Sequence, residues 1–362
     1  MSFHIIGTIG PSSFNSNVLT RLKNLQLSSF RINLSHSTKV TLSRYYNVFM
    51  NHGIRPSLDT QGAQIRVTSI LGDSWFNEGD DIVVQYCPQE FSHILSGFDI
   101  GVNHPEFFKN VLPGDEIKLG FEGLIGEVTT VDEVKESCHI KAITSGNIEL
   151  NTAFDISGKS IQLAPFTEFD IDCIKGTFEN NVETIYVSFC NSADAIILLR
   201  NILKSISSDI RKHPKIIAKI ENKQGLLNLH EIINHVDGIL VDRGDLSREV
   251  RISVIPSVVS SIIKSCRQYN CPCFVATNVL DTMINESLPS RAEISDIYNL
   301  LSKGVSGFVL AAEVAIGKHP VESVQVIKLM HKIHELDARN LMSQYDIGEF
   351  MSDMPANLKA WL

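Results

Sequence analysis

Lys219 and Glu221 lie two residues apart in the run IIAKIEN, residues 216–222. In a β-type run, positions i and i+2 share a face. A lysine and a glutamate among isoleucines are costly to bury unless each meets an opposite charge. Two readings follow. One is a structural ion pair; the other is a lysine that serves an anionic substrate beside a carboxylate that holds a divalent metal. Asp245, in VDRGDLS, offers a second carboxylate at the next strand end. Glu221 with Asp245 would suit Mg2+, which keeps its other positions for water and phosphate. Asn33, Ser35, Asp59 and Thr60 offer further oxygen ligands, and they suit helix caps and turns equally well. Asp245 also fits an N-cap. The Arg-Gly-Asp tripeptide at 243–245 stands at a strand-to-loop junction, a poor setting for an adhesion signal.

These residues need elements to hold them. From 3 to 60, β-branched runs (HIIGTIG, SSFRINL, RPSLDT) alternate with helical periods at 18–27 and 38–50. From 63 to 164 the rhythm becomes purely alternating: QIRVTSI, DIVVQYC, DEIKLGF, GEVTTV and HIKAI, parted by turn signals and without helical period. Then ETIYVSF, KIIAKIE, GILVDRG, CFVATN and GFVLAAE alternate with helical stretches near 168–179, 192–206, 223–234, 254–269, 290–303 and 319–338. Three strands before the insertion and five after make eight, the number that closes a barrel. The expected class is therefore α/β, a (β/α)8 TIM barrel with a β-rich cap domain inserted after the third strand; an open doubly wound sheet is the alternative. The expected boundaries are 1–62 and 165–345 for the barrel, 63–164 for a β-barrel-like cap, and 346–362 for a C-terminal tail. In such a barrel chemistry gathers at the C-terminal strand ends, which here carry Thr8, Arg31, Asn33, Asp59, Lys219, Glu221, Asp242, Thr277 and Glu313.

Composition narrows the classes. The chain has 362 residues, 43% hydrophobic and 20% charged, with a formal charge of −9. That is globular composition, and the acidic balance argues against a nucleic-acid partner. No apolar run approaches the ~18 residues of a membrane span, and no signal-peptide pattern opens the chain. Seven scattered cysteines, without metal-ligand spacing, read as reduced thiols in a cytoplasmic protein.

Six segments, in order, resemble the pyruvate kinase family over essentially the whole chain: FRINLSHS, SLDTQGAQIR, IIAKIENKQGLLNLHEII, DGILVDRGDLSRE, VATNVLDTMINESLPSRAEISD and AAEVAIGKHPVESV. The resemblance implies the barrel with its inserted cap. It also implies a glycolytic kinase activity, transfer of a phosphoryl group between phosphoenolpyruvate and ADP to give pyruvate and ATP. It implies Lys219, Arg31 and Thr277 as catalytic, and Arg31, Lys219, Gly244, Asp245 and Thr277 as substrate-binding. Glu221 and Asp245 match ligands of Mg2+ or Mn2+; Asn33, Ser35, Asp59 and Thr60 match potassium ligands. Asn33, His36, Arg66 and Lys159 are the implied nucleotide contacts. The implied partners are these small molecules, with neither nucleic acid nor membrane, and a homo-oligomer formed through the barrel.

The sequence also departs from the family. Gln61 stands where the family has lysine, Ala63 where it has proline, and Gln64 where it has the glutamate that tunes cation dependence. Asn191 replaces an arginine, Ser247 a glycine and Val314 a threonine. Asp242 replaces an alanine, and a carboxylate there would repel pyruvate unless Arg243 or a metal neutralises it. With the chain ending at Leu362, the family's C-terminal regulatory domain is expected to be absent. Two rival readings accompany the kinase: an enzyme of the same scaffold acting on another phosphoenolpyruvate or 2-oxo acid substrate through a metal-stabilised enolate, and a non-catalytic binding paralogue.

Overall fold

Strands apolar on both faces need partners on both sides, and a barrel ringed by helices supplies them. The structure, a computed structural model, describes residues 3–62, 64–88, 97–119, 124–159, 161, 163–339 and 356–361. The first three strands are β1 (His4–Thr8), β2 (Ser29–Asn33) and β3 (Pro56–Asp59). Short strands follow: β4 (Val67–Ile70), β5 (Trp75–Phe76), β6 (Asp81–Tyr86), β7 (Ile100–Val102), β8 (Glu116–Leu119), β9 (Ile125–Asp132), β10 (Ser137–Ala142), β11 (Gly146–Asn147) and β12 (Phe154–Ile156). The last five are β13 (Thr184–Val187), β14 (Lys215–Ile220), β15 (Gly238–Asp242), β16 (Cys273–Ala276) and β17 (Gly307–Leu310). β1, β2, β3 and β13 to β17 close in chain order into an eight-stranded parallel barrel. The fold is thus a (β/α)8 TIM barrel with a β-rich domain inserted after the third strand. The chain divides into two compact units, Met1–Gly62 with Phe166–Leu362, and Ala63–Pro165.

Strand parity sorts the barrel core. Ile6, Tyr186, Ile217, Leu240, Phe274, Ala276 and Val309 form one small buried cluster, which lies on the barrel axis. Their strand neighbours Ile5, Ile185, Ile216, Ile239, Cys273, Val275 and Phe308 belong to the large cluster shared with the helices. Several helices carry strong start signals, with capping boxes at Thr38/Thr41, Thr167/Asp170 and Ser290/Glu293. The helix Arg291–Lys303 ends at Gly304, whose φ of 87° is a left-handed cap. The helical stretch expected at 223–234 is two helices, Lys223–Leu227 and Leu229–Ile233. They meet at Asn228, whose side-chain amide donates to Asn191 O at 2.7 Å instead of facing solvent.

The inserted unit is a seven-stranded sheet in the order β12-β8-β9-β10-β6-β7-β4, with β5 and β11 paired separately. An isolated bridge, Arg66 to Ala153, joins the segments beside β4 and β12 at the two ends of that order. One element departs from the all-β expectation: a helix at Glu106–Asn110, too short to show a period, which buries Phe107 and Phe108 completely. Of the tail expected at 346–362, only the helix Ala356–Trp361 falls within the described residues. All seven cysteines are free and buried, and among the described residues no helix is long and apolar enough to cross a membrane.

Asp170 fastens the barrel around the point where the chain leaves it. Its buried carboxylate accepts from the backbone N–H groups of Gln61 (2.7 Å), Gly62 (3.1 Å) and Thr167 (3.0 Å). Burial pushes this carboxyl up, and those donors oppose the push. Asp170→Ala would leave three donors without an acceptor, one of them buried and two half-buried. The expected loss is about 3 kcal/mol, and a fall of several degrees in Tm on thermal unfolding checks it. An unchanged Tm would show that these bonds contribute nothing net.

Candidate active site

The parity that fills the barrel with Ile217 and Leu240 carries on to the C-terminal strand ends. Lys219 and Glu221 continue the face of Ile217, and Asp242 continues the face of Leu240. By the same step, Thr8 follows Ile6 and Ser188 follows Tyr186. Arg31 and Asp59 come from the adjacent strands β2 and β3, paired in register. Polar side chains from six strand ends therefore converge on the barrel mouth. They are nearly sealed: relative exposure is 3% for Arg31, 2% for Asp59, 6% for Lys219 and 2% for Glu221.

Lys219 is the hub. Its Nζ lies 2.7 Å from Glu221 Oε1, 3.2 Å from Asp59 Oδ1 and 3.9 Å from Asp242 Oδ2, and it donates to Ser188 Oγ at 3.1 Å. Burial alone pulls this ammonium down, but Asp59, Glu221 and Asp242 together hold it above its ordinary value. Arg31 donates from Nε (2.9 Å) and Nη2 (2.6 Å) to Thr8 Oγ1. Its Nη1 stands 3.0 Å from Asp59 Oδ2, an ion pair without hydrogen-bond alignment. Of the two readings of the Lys219–Glu221 spacing, the structure shows the ion pair, at 2.7 Å, and places it at the C-terminal strand ends.

Negative charge is in excess. Arg31 and Lys219 face Asp59, Glu221 and Asp242, and Asp245 adds a fourth carboxylate with Arg248 at 3.9 Å. Oxygens of Glu221, Asp242 and Asp245 lie within 4.8 Å of one another. Glu221 Oε2 accepts from Phe189 N–H at 2.6 Å, while Oε1 is buried without an aligned donor. Burial pushes the Glu221 carboxyl up; Lys219 opposes this, while Asp245 and Asp242 add to it. A divalent cation among these oxygens would relieve that charge, so the donor set fits Mg2+ or Mn2+.

Backbone strain marks the same place. Phe189 (φ 49°) and Thr277 (φ 63°) are non-glycine residues in the left-handed region, and a β-branched residue there is a real outlier. The first aims its N–H at Glu221; the second sets its hydroxyl against β15. Thr277 Oγ1 accepts from Gly244 N–H at 2.7 Å, and its proton can reach Ala276 O (2.7 Å) or Asp242 Oδ1 (3.2 Å). Asp242 Oδ1 also accepts from Gly244 N–H at 3.2 Å, as N-cap of the helix Arg243–Glu249. Arg243 does not neutralise Asp242. The strand ends at Asp242 and the helix starts at once, turning the guanidinium to Thr277 O, Asn278 O and Asp296.

The remaining expected residues divide by unit. Asn33 Oδ1 accepts from Ser35 N–H and caps the short 3-10 turn Leu34–His36. Thr60 Oγ1 accepts from Ser188 N–H, and Thr60 O accepts from Ser188 Oγ, so these oxygens serve as caps and ties in the chain as it stands. Gln61, in place of the family's lysine, donates from Nε2 to Leu34 O and accepts from Thr167 Oγ1. Asn191 accepts from the Asn222 side-chain amide. Glu313 is buried in the helix Ala312–Ala315 and accepts from Leu280 N–H. Arg66 and Lys159 belong to the inserted unit, where Arg66 Nη1 donates to Asn151 O and Lys159 pairs with Asp115 at 2.6 Å. Thr8 is among the strand-end residues read from the sequence, without a role; Ser188 is not, and the parity of its strand is the signal that points to it.

A model of the pyruvate kinase barrel domain matches residues 2–324. Plastidial pyruvate kinase 3 of Arabidopsis thaliana is 33% identical over 337 residues, covering 89% of this chain and 56% of that protein. Pyruvate kinase of Thermoplasma acidophilum is 30% identical over 331 residues, covering 91% and 57%. The chain thus spans less than two thirds of the length of these relatives. The crystal structure of Cryptosporidium parvum pyruvate kinase superposes with a TM-score of 0.83 at 25% identity, over 92% of this chain and 70% of that one.

Proposed function

The chain belongs to the pyruvate kinase family, and from that premise we propose that it transfers a phosphoryl group between phosphoenolpyruvate and ADP, giving pyruvate and ATP. In this reaction the P–O bond to the enol oxygen breaks and a bond forms to a terminal β-phosphate oxygen of ADP. The enolate left behind takes a proton at its methylene carbon. The observation that carries the reading is the Lys219 ammonium, held charged at a buried barrel mouth beside a three-carboxylate cluster. Phosphoryl transfer asks a protein mainly for positioned positive charge in a water-poor site.

Glu221 and Asp245 would hold Mg2+ or Mn2+, which when bound would supply neutralising charge for the phosphoryl group and the developing enolate. Lys219 and Arg31 complement that charge from the protein side. Thr277 presents its hydroxyl, fixed by its strained backbone, next to Gly244 at the substrate. Within the barrel we assign Asn33 and His36 to the nucleotide, and Asn33, Ser35, Asp59 and Thr60 to a potassium ion. Asp59 would then be shared with Arg31 and Lys219, and Gln64 takes the place of the family's cation-tuning glutamate. Cytoplasmic glycolysis and assembly through the barrel complete the proposal.

A lactate-dehydrogenase-coupled assay with phosphoenolpyruvate, ADP and Mg2+, with and without K+, tests it. Mg2+-dependent pyruvate formation is expected; its absence removes the reading. One observation favours a second reading: Asp242 Oδ1 lies 3.2 Å from both Gly244 N–H and the Thr277 hydroxyl, donors that the kinase reading gives to the substrate. An enzyme rebuilt for another phosphoenolpyruvate or 2-oxo acid substrate would form no pyruvate from phosphoenolpyruvate and ADP. It would still exchange the hydrogens next to a 2-oxo acid carbonyl in deuterated water, in a metal-dependent way. A non-catalytic paralogue would do neither.

A further inference from the structure

We propose that Asp242 is a third carboxylate ligand of the divalent cation, holding it together with Glu221 and Asp245. The inference deepens the reading above and rests on its Glu221–Asp245 site.

Three observations converge on it. The parity of β15 points Asp242 inward on the face of Leu240, and the side chain is only 7% exposed. Its two oxygens have different surroundings. Oδ1 is fixed by Gly244 N–H and lies within reach of the Thr277 hydroxyl. Oδ2 has Lys219 Nζ at 3.9 Å, beyond hydrogen-bond distance. Anchoring at one oxygen holds the other in place without occupying it. Finally, oxygens of Glu221, Asp242 and Asp245 come within 4.8 Å of one another, and Glu221 Oε1, though 2.7 Å from Lys219 Nζ, is buried with no aligned hydrogen-bond donor. Opposite ligands of an ion with bonds of ~2.1 Å stand about 4.2 Å apart, so small side-chain adjustments bring all three oxygens to one centre.

The third carboxylate also answers a charge question. Asp242 needs a positive neighbour, and Arg243 is spent on Asp296 and two carbonyls. Lys219 is shared with Glu221 and Asp59 at shorter range. Oxygen-ligand sites tune affinity through the number of charged ligands, so a third carboxylate should tighten the binding of Mn2+ or Mg2+.

The bland role of Asp242 is an N-cap alone, and the test separates the two. Asn caps a helix as well as Asp does, so Asp242→Asn preserves the cap and removes the charge. Free Mn2+ is followed by electron paramagnetic resonance during titration of the metal-free chain, without substrate. The parent should bind one ion per chain, and Asp242→Asn should bind it ~10-fold or more weakly, with the metal-free melting temperature unchanged. Equal affinity in the two proteins overturns the proposal and leaves a cap, with the Glu221–Asp245 site intact. If Glu221→Gln binds Mn2+ as well as the parent does, the ion sits elsewhere and both readings fall. Asp242→Ser, another good N-cap, replaces Asp242→Asn if that variant does not fold.

Discussion

Lys219→Met should be the most damaging single substitution at the barrel mouth. Methionine fills a similar volume on the face of Ile217, so packing is not the issue. Charge is. The ammonium lies within 4 Å of Glu221, Asp59 and Asp242, all nearly buried, and its removal leaves Arg31 as the remaining cation of that network. Breaking a buried ion pair by deleting one partner costs about 3–5 kcal/mol, because the other charge stays buried. Phosphoryl transfer should fall ~10³-fold or more, as when a preorganised donor to developing negative charge is removed. Thermal unfolding and steady-state kinetics read the two effects separately. A variant that keeps the parent's Tm and loses less than tenfold in kcat would remove Lys219 from the centre of the site.

Glu221→Gln should do the opposite to stability and much the same to function. A neutral amide can still accept from Phe189 N–H through its oxygen, and Lys219 keeps Asp59 and Asp242. Burial, with Asp245 and Asp242, disfavours the charge at this position and outweighs the opposing pull of Lys219, which keeps two other carboxylates, so the metal-free variant should be at least as stable as the parent. Metal-dependent stabilisation is the casualty. In the parent it should reach ~2.7 kcal/mol when the free ion stands at a hundred times its Kd. In Glu221→Gln it should vanish over the same Mn2+ or Mg2+ range, together with turnover. The same upward shift of Tm in both proteins would place the ion away from Glu221.

Much of the placement of these residues is legible in the sequence itself. The inward face of IIAKIEN follows from a period of two, and the eight strand-like runs count out a barrel whose mouth must hold the polar strand ends. The junction after β15 was not legible. Read as a continuous run, GILVDRG sends Asp242 and Arg243 to opposite faces, and nothing in those residues announces that the helix Arg243–Glu249 begins immediately. That break makes Asp242 both cap and inward carboxylate, and it leads Arg243 away. Asp59 illustrates a different limit: its residue type suits a cation ligand, but its geometry depends on Arg31 and Lys219 arriving from strands far away in the chain. In the inserted unit, strands of two or three residues such as β5, β7 and β11 carry too few alternations to be seen. The helix Glu106–Asn110 is missed for the same reason, at barely more than one turn.

The central claim is that this barrel mouth moves a phosphoryl group from phosphoenolpyruvate to ADP on a divalent ion, and phosphorus NMR observes that movement directly. With the parent chain, ADP and Mg2+, the phosphoenolpyruvate resonance should decline as the three resonances of ATP grow in equal measure. Chelation of the metal, or Glu221→Gln, should stop both changes. A phosphoenolpyruvate signal that stays constant, or one that decays into inorganic phosphate while ADP is untouched, would contradict the account.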